Sequence, residues 1–346
     1  MAVTDGSGSD AASRVTVSAP GLVVVTGADG FAGRAVCAHV RAAGVPFRGL
    51  VRTLTTATVA RPDFFSVGDL TSAAEGQLSN VLRGAHTVVH LAGRVHRMGD
   101  AVADPLAEFR AVNAGATERL ALAAAAAGVS HFVFASSVKV NGESTPRDKP
   151  FCESDPPDPH DDYAASKWEA ECVLADVARE TSMPVTILRL PLMYGPGVKG
   201  NLARLARAID RGVPLPFASI DNRRSLLGVG NFASALDAVL AAPAPAPRTA
   251  TTYLLSDNRP VSTPELARAL AAALGTRVRL VPLPLPMLRV ACACAGKSAA
   301  FERLASSLVV DASAFRTAFG WTPPRAAAEE WADMARAWRE AQARPL

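Results

Sequence analysis

The sequence predicts an α/β protein built on a doubly wound parallel sheet (Rossmann-like), with a smaller C-terminal lobe beside it. Three observations carry that expectation. From Gly21 to about residue 195, short apolar runs alternate with helical stretches. The first run ends in a glycine turn that opens a helix. Beyond about residue 195 the alternation gives way to Pro/Gly-rich loops and shorter elements.

Each element has its own warrant. The runs "LVVVTG", "PFRGLVR", "DFFSVGDL", "TVVHLAG", "HFVFASS" and "VTILRLP" are β-branched or aromatic and end in turn residues, as buried strands do. Between them, "RAVCAHVRAAG", "FRAVNAGATERLALAAAAAG" and "YAASKWEAECVLADVARET" read as helices. "APAPAP" at 242–247 reads as a spacer. "VRLVPLPLPMLRVACACAG" reads as a strand and a buried helix; peripheral contact of 278–296 with a membrane is the second reading. Three prolines, Arg289 and its short length keep that stretch from spanning a bilayer. Residues 1–20 are small, polar and Gly/Ser-rich, without the basic start and apolar stretch of a signal peptide, and predict a disordered tail.

Composition narrows the function classes. The 346 residues are 49% hydrophobic and 20% charged, as in a globular protein with ample core. Net charge is +4, but the basic residues are scattered among acids and no run of five like charges appears. Nucleic acid is therefore not an expected partner. The five cysteines form no CxxC pair and no metal spacing with the histidines. They read as reduced thiols of a cytoplasmic protein without a metal site.

Two patterns carry chemistry. In "TGADGFAG", Gly27, Gly30 and Gly33 follow an apolar strand and open a helix. Glycine is needed where backbone turns tightly and approaches a pyrophosphate at a helix N-terminus. A tight turn without a ligand is the bland alternative, and the strand–turn–helix context favours a nucleotide. In "DDYAASKWEA", Tyr163 and Lys167 stand four apart, on one face of a helix. Such a pair alone decides nothing; a solvated helix face would carry it equally well.

The G-x-x-G-x-x-G spacing, with Phe31 inside it, resembles the extended short-chain dehydrogenase/reductase superfamily of sugar-nucleotide epimerases, dehydratases and reductases. The resemblance continues through "GDL" at 68–70, "HLAG" at 90–93 and "VNAGAT" at 112–117. It implies an NAD(P)-dependent enzyme, with Asp69 and Leu70 near the adenine, Leu91 and Ala92 beside the cofactor, and Asn113 on the neighbouring helix. It also implies that Ser137, Tyr163 and Lys167 are catalytic, with Ser136 the adjacent alternative. Tyr163 would exchange a proton with a sugar hydroxyl and Ser137 would bind the same oxygen. Lys167 would hold the nicotinamide ribose and, with the cationic ring, lower the phenol's pKa into working range. The Asp-Glu pair of the 4,6-dehydratases is absent; Val138 and Lys139 stand in its place. Asn141 replaces a common tyrosine, a departure expected to alter the sugar pocket.

Further on, "YGPG" followed by Asn201, and "DNRRSLLGVGNFASAL", resemble the segments that grip the substrate diphosphate. Arg224 aligns best as the phosphate-binding arginine, with Arg223 as substitute. "SSVKVNGE", "PLPFASIDNRRSL" and "GKSAAFERLASSLVVD" resemble a bacterial subgroup called UDP-glucose 4-epimerase-like. Some of its members reduce the 4-keto group of a UDP-N-acetyl-6-deoxyhexose. The resemblance thus implies a UDP-sugar substrate and is compatible with a homodimer. It divides the chain into a cofactor domain at 21–195 and a substrate-binding lobe at 196–346 interleaved with it. At the end of the second strand, where NAD-preferring folds carry an acidic residue, this chain has Val51 and then Arg52. That absence predicts tolerance or preference for NADP(H), with Arg52 at the 2′-phosphate, and favours an exchangeable cofactor. The sequence reading therefore leans to a 4-ketoreductase, with a UDP-glucose or UDP-N-acetylglucosamine 4-epimerase as the alternative. A non-catalytic dinucleotide binder is the remaining rival.

Overall fold

The computed structural model describes residues 21–95, 104–257, 259–296 and 298–343; the tail expected at 1–20 lies outside them. Nine strands are β1 (Val23–Thr26), β2 (Phe47–Val51), β3 (Phe64–Ser66), β4 (Thr87–His90), β5 (His131–Ser137), β6 (Val185–Leu190), β7 (Leu192–Tyr194), β8 (Leu226–Gly228) and β9 (Ala250–Leu254), counted among the described residues. Seven form one parallel sheet in the order β3-β2-β1-β4-β5-β6-β9. The chain order reverses between β1 and β4, and a crevice opens there beyond the strand ends, where such sheets bind ligands.

Both faces of the sheet are covered, which is why its strands are continuously apolar. On one face Val24, Val88, Phe132, Phe134 and Ile187 meet helices α2 (Glu75–Leu82), α4 (Ala116–Ala126) and α5 (Asp162–Thr181). On the other, Val23, Val25, Val89, Val133 and Leu188 meet α1 (Phe31–Ala42) and α7 (Val229–Ala241). Alternate residues of each strand thus serve alternate faces, and each fully buried aliphatic contributes about 1.5–3 kcal/mol. Between α3 (Pro105–Arg110) and α4 the helix widens into a π turn at Ala111–Gly115, which carries Asn113.

The six strands expected between Gly21 and residue 195 are present; the strand expected at the start of 278–296 is reduced to an isolated bridge between Leu215 and Leu280. β9 was not expected: "ATTYL" follows the proline spacer and is only half-buried at four of its five positions, so its pattern is weak. It pairs with β6 and so returns the later chain to the main sheet. The remaining helices are α6 (Gly200–Asp210), α8 (Thr263–Ala273), α9 (Leu285–Cys294), α10 (Ser298–Ala305), α11 (Ser313–Phe319) and α12 (Ala327–Ala343). α6, α8 and α12 share a separate core around Leu202, Leu270 and Trp331. One expectation is corrected. α9 is not a buried helix; Leu288 is its single buried residue. Among the described residues no helix is long and apolar enough to cross a membrane.

Candidate active site

The glycine turn forms a cradle that side chains would fill. Gly27 has a φ of +63°, and a Cβ there would stand 2.8 Å from the Ala92 amide nitrogen. A Cβ on Gly33 would stand 2.0 Å from the Gly27 carbonyl. The turn is therefore closed to any larger residue, and the N-terminus of α1, with Phe31 in its first turn, opens into the crevice. A dinucleotide diphosphate fits this arrangement.

Behind the cradle runs a buried hydrogen-bond chain that the sequence reading did not foresee. The Leu91 and Ala92 amides donate to Thr26 Oγ1 at 3.2 and 3.1 Å. Thr26 lies 2.6 Å from His90 Nδ1, His90 Nε2 lies 2.9 Å from Thr117 Oγ1, and Thr117 donates to the Asn113 carbonyl at 2.6 Å. Because Thr117 spends its proton on that carbonyl, His90 Nε2 must donate and Nδ1 must accept. Burial, assisted by the Lys167 charge, pushes His90 down to about 3, so the ring stays neutral. The Asn113 amide bonds the Arg94 backbone from both its oxygen (2.8 Å) and its nitrogen (3.1 Å), and donates to Ser166 at 2.9 Å. The π turn thereby fixes the loop after β4 against α5.

The three residues expected to be catalytic converge where β5 ends and α5 begins. Asp161 caps α5 by accepting the Ala164 amide at 2.7 Å, which sets Tyr163 in the first turn. Ser137 hydrogen-bonds Tyr163, and burial nevertheless pushes the phenol up to about 12. Lys167, 5% exposed, donates to the Ala135 carbonyl at 2.9 Å and stands 4.4 Å from the Phe134 ring centre. Burial pushes it down to about 8. At Tyr163 desolvation is the largest influence, opposed by the Ser137 hydrogen bond; the lowering expected from Lys167 together with the cationic nicotinamide would have to work against it.

The adjacent serine is used elsewhere. Ser136 donates to Glu171 at 2.5 Å, and Glu171 receives both Nε (3.0 Å) and Nη2 (2.6 Å) of buried Arg189. Arg189 also donates to Asn141 at 3.1 Å, and Asn141 to the Cys152 carbonyl at 3.2 Å. Asn141 is thus part of an internal polar network that reaches the cavity wall. Ser136→Ala should cost about 1–3 kcal/mol of stability by removing one hydrogen bond from a buried carboxylate that Arg189 still holds, with kcat within a few-fold of wild type. Ser137→Ala should reverse that pattern, and thermal melts beside turnover rates check both.

At the far end of the crevice, Arg52 is exposed and lies 3.4 Å from Asp69. Hydrogen bonds from the Thr71 amide and hydroxyl, at 2.9 and 2.7 Å, hold the Asp69 carboxyl below its usual range. Leu70, next to it, packs on the sheet core. Although β2 ends in Val51, a carboxylate thus stands beside Arg52.

A cavity of about 530 Å³, lined by Asn141, Gly142, Glu143, His160, Asp161 and Arg303 among others, adjoins the N-cap of α5. Lys139 is locked at its edge, bonded to Glu143 at 2.6 Å and to Asp161. Arg224 donates to the Arg303 and Ser306 carbonyls at 3.0 Å each, and Glu143 acts on its charge. Arg223 pairs instead with Glu265 at 3.6 Å and Asp221 at 3.8 Å. Asn201 is exposed in the first turn of α6.

Residues 23–252 match the NAD dependent epimerase/dehydratase family. The chain belongs to that family. It is 37% identical over 94% of its length to a UDP-glucose 4-epimerase of Vibrio cholerae, covering 98% of that protein. It is 32% identical, over half of each chain, to the N-acetyl-alpha-D-glucosaminyl-diphospho-ditrans,octacis-undecaprenol 4-epimerase of Escherichia coli O157:H7 (49% and 50%). Among solved structures it resembles MoeE5 in complex with UDP-glucose and NAD, with a TM-score of 0.72 and 25% identity over 93% of this chain and 99% of that one. The protein is thus an NAD-dependent enzyme of the epimerase/dehydratase family.

For a member of this family, several residues at the crevice had no sequence signal. Thr26, His90, Thr117 and Ser166 act only through partners distant in the chain. Arg34 donates to the Asp29 carbonyl at 2.7 Å, and a Cβ on Gly197 would meet its guanidinium at 2.6 Å. That contact sets the "YGPG" loop against the start of α1, so the segments expected to hold the two ligands are neighbours.

Proposed function

We propose that this protein is a UDP-hexose 4-epimerase that retains its NAD, acting on UDP-glucose or UDP-N-acetylglucosamine. The Ser137–Tyr163 hydrogen bond, with Lys167 one turn along α5 and the 530 Å³ cavity at that helix's N-cap, carries the reading. Bound NAD supplies reversible hydride exchange at the sugar C4. Tyr163 takes the proton of the C4 hydroxyl and later returns one, Ser137 holds the same oxygen, and Lys167 supports the phenolate. The turn at Gly27, Gly30, Phe31 and Gly33 holds the diphosphate, Leu91 and Ala92 border the nicotinamide, and Asn113 positions their loop. Arg52, Asp69 and Leu70 meet the adenosine. The part after residue 195 serves the substrate, with Arg224 and Asn201 on its UDP moiety. Val138 and the tied-down Lys139 leave no acid–base pair for dehydration. Five unpaired cysteines fit a cytoplasmic enzyme.

A second reading, the 4-ketoreductase, keeps the support of Val51 and the exposed Arg52. Against it, Arg52 is already paired with a carboxylate held in its charged form, which opposes a 2′-phosphate and favours retained NAD. The deciding experiment follows UDP-glucose and UDP-N-acetylglucosamine by NMR without added reductant. Interconversion with the 4-epimer is expected. Stoichiometric oxidation of NADH or NADPH on a UDP-4-keto-6-deoxy-N-acetylhexose, with no epimerisation, would overturn the epimerase in favour of the reductase.

Arg224→Lys should raise KM for the UDP-sugar by about ten-fold or more, the worth of a charged hydrogen bond, with kcat little changed. Lysine retains a donor for the Arg303 and Ser306 carbonyls, so steady-state kinetics beside a melting curve separates binding from folding. An unchanged KM would move the role to Arg223.

A further inference from the structure

We propose that the outer face of α9 docks this protein on the surface of an anionic lipid bilayer. Met287, Val290, Ala291 and Cys294 recur at i, i+3, i+4 and i+7, the spacing of one helix face. In a globular protein that stripe normally turns inward. Here it turns outward: Met287 is 59% and Val290 62% exposed. Only Leu288, about 100° round the helix from Met287, is buried, against Ile220 and Phe301. On the proline-rich approach Val281 is exposed as well. Contiguous apolar surface of this kind marks an interaction site.

The surrounding charge selects the occupant. Residues 266–301 contain five Lys or Arg and no Asp or Glu. Arg277 and Arg279 are exposed and make no ion pair among the described residues, while Arg289 pairs with Glu302 on α10. An apolar stripe flanked by unneutralised arginines is the composition of a helix lying in the plane of an anionic lipid surface. A second copy fits less well. A two-fold contact would set the same arginines against one another. A ten-residue helix, about 15 Å long, also offers far less than the roughly 800 Å² per partner of a stable dimer. α9 packs on α10, whose Arg303 lines the cavity beside the catalytic trio. Docking through α9 therefore brings the substrate side of the enzyme close to the bilayer.

The test is flotation of the full-length protein with vesicles of phosphatidylcholine alone and of phosphatidylcholine with phosphatidylglycerol. Wild type should float with the anionic vesicles at low salt, and lose binding as salt rises. Met287→Glu/Val290→Glu should reduce the bound fraction by about ten-fold or more while melting and turning over soluble UDP-sugar as wild type does. Arg277→Gln/Arg279→Gln, which leaves the apolar stripe untouched, should weaken binding and flatten its salt dependence. Failure of the wild type to float, or equal flotation of the glutamate variant, would overturn the proposal. So would a wild-type oligomer that the glutamate variant splits while neither binds vesicles, which assigns the face to a second copy.

Discussion

Replacing Tyr163 by phenylalanine is expected to lower kcat by about 10²- to 10⁴-fold, the usual contribution of a positioned proton-transfer group. Cofactor retention and melting temperature should stay near wild type. Only the hydroxyl is lost; the ring still meets Phe109 edge-on with centres 6.1 Å apart. The pH profile carries a second expectation. With the phenol pushed up to about 12 by burial, the resting group is protonated at neutral pH, and its working form depends on positive charge from Lys167 and the bound nicotinamide. Turnover should therefore rise with pH on the acid side of the optimum, and the variant should lose that limb. Rate measurements over pH, beside the fluorescence of retained NAD, check both. A variant with near wild-type kcat would place the proton transfer on another group.

How far the site was legible depends on the range of the physics involved. The glycine turn was legible because its constraint is local: the backbone at Gly27 and Gly33 has no room for a Cβ. Tyr163 and Lys167 were legible as a helix face, and became a site only with the strand end that faces them. The choice between Ser136 and Ser137 was closed to inspection of the residues, since both are serines at the end of one strand. Packing decides it, because the alternating strand aims Ser136 at Glu171. The His90 chain joins residues up to 66 apart in sequence, and no spacing announces it. The pairing at the adenosine corner was closed to spacing for the same reason. β2 ends in Val51 and Arg52, and the loop after β3 brings Asp69 to within 3.4 Å of Arg52. α9 misled through its apolarity, which the sequence reading placed inside a core the helix does not have.

The last expectation sets stability against function at Lys167. Lys167→Met should abolish most turnover and yet raise the melting temperature at neutral pH. A lysine held down to about 8, against an ordinary value of 10.5, is charged at pH 7 at a folding cost of about 3 kcal/mol. Methionine keeps the length and apolar stem but gives up the bond to the Ala135 carbonyl, about 1 kcal/mol, leaving a net gain of roughly 1–2 kcal/mol. The balance shifts with pH, because only the cost of the buried charge is pH-dependent. Between about 8 and 10.5 the unfolded chain binds the proton that the folded chain has released, so wild-type stability rises through that window. The advantage of the variant should accordingly shrink above pH 8, vanish within the window and give way near pH 10.5 to a deficit of about 1 kcal/mol, the bond to the Ala135 carbonyl. Melting curves of both proteins across that range test it. A variant less stable than wild type at pH 7 would make the ammonium a structural support. A more stable and inactive one would show that burial of this cation is maintained for catalysis against the preference of the fold.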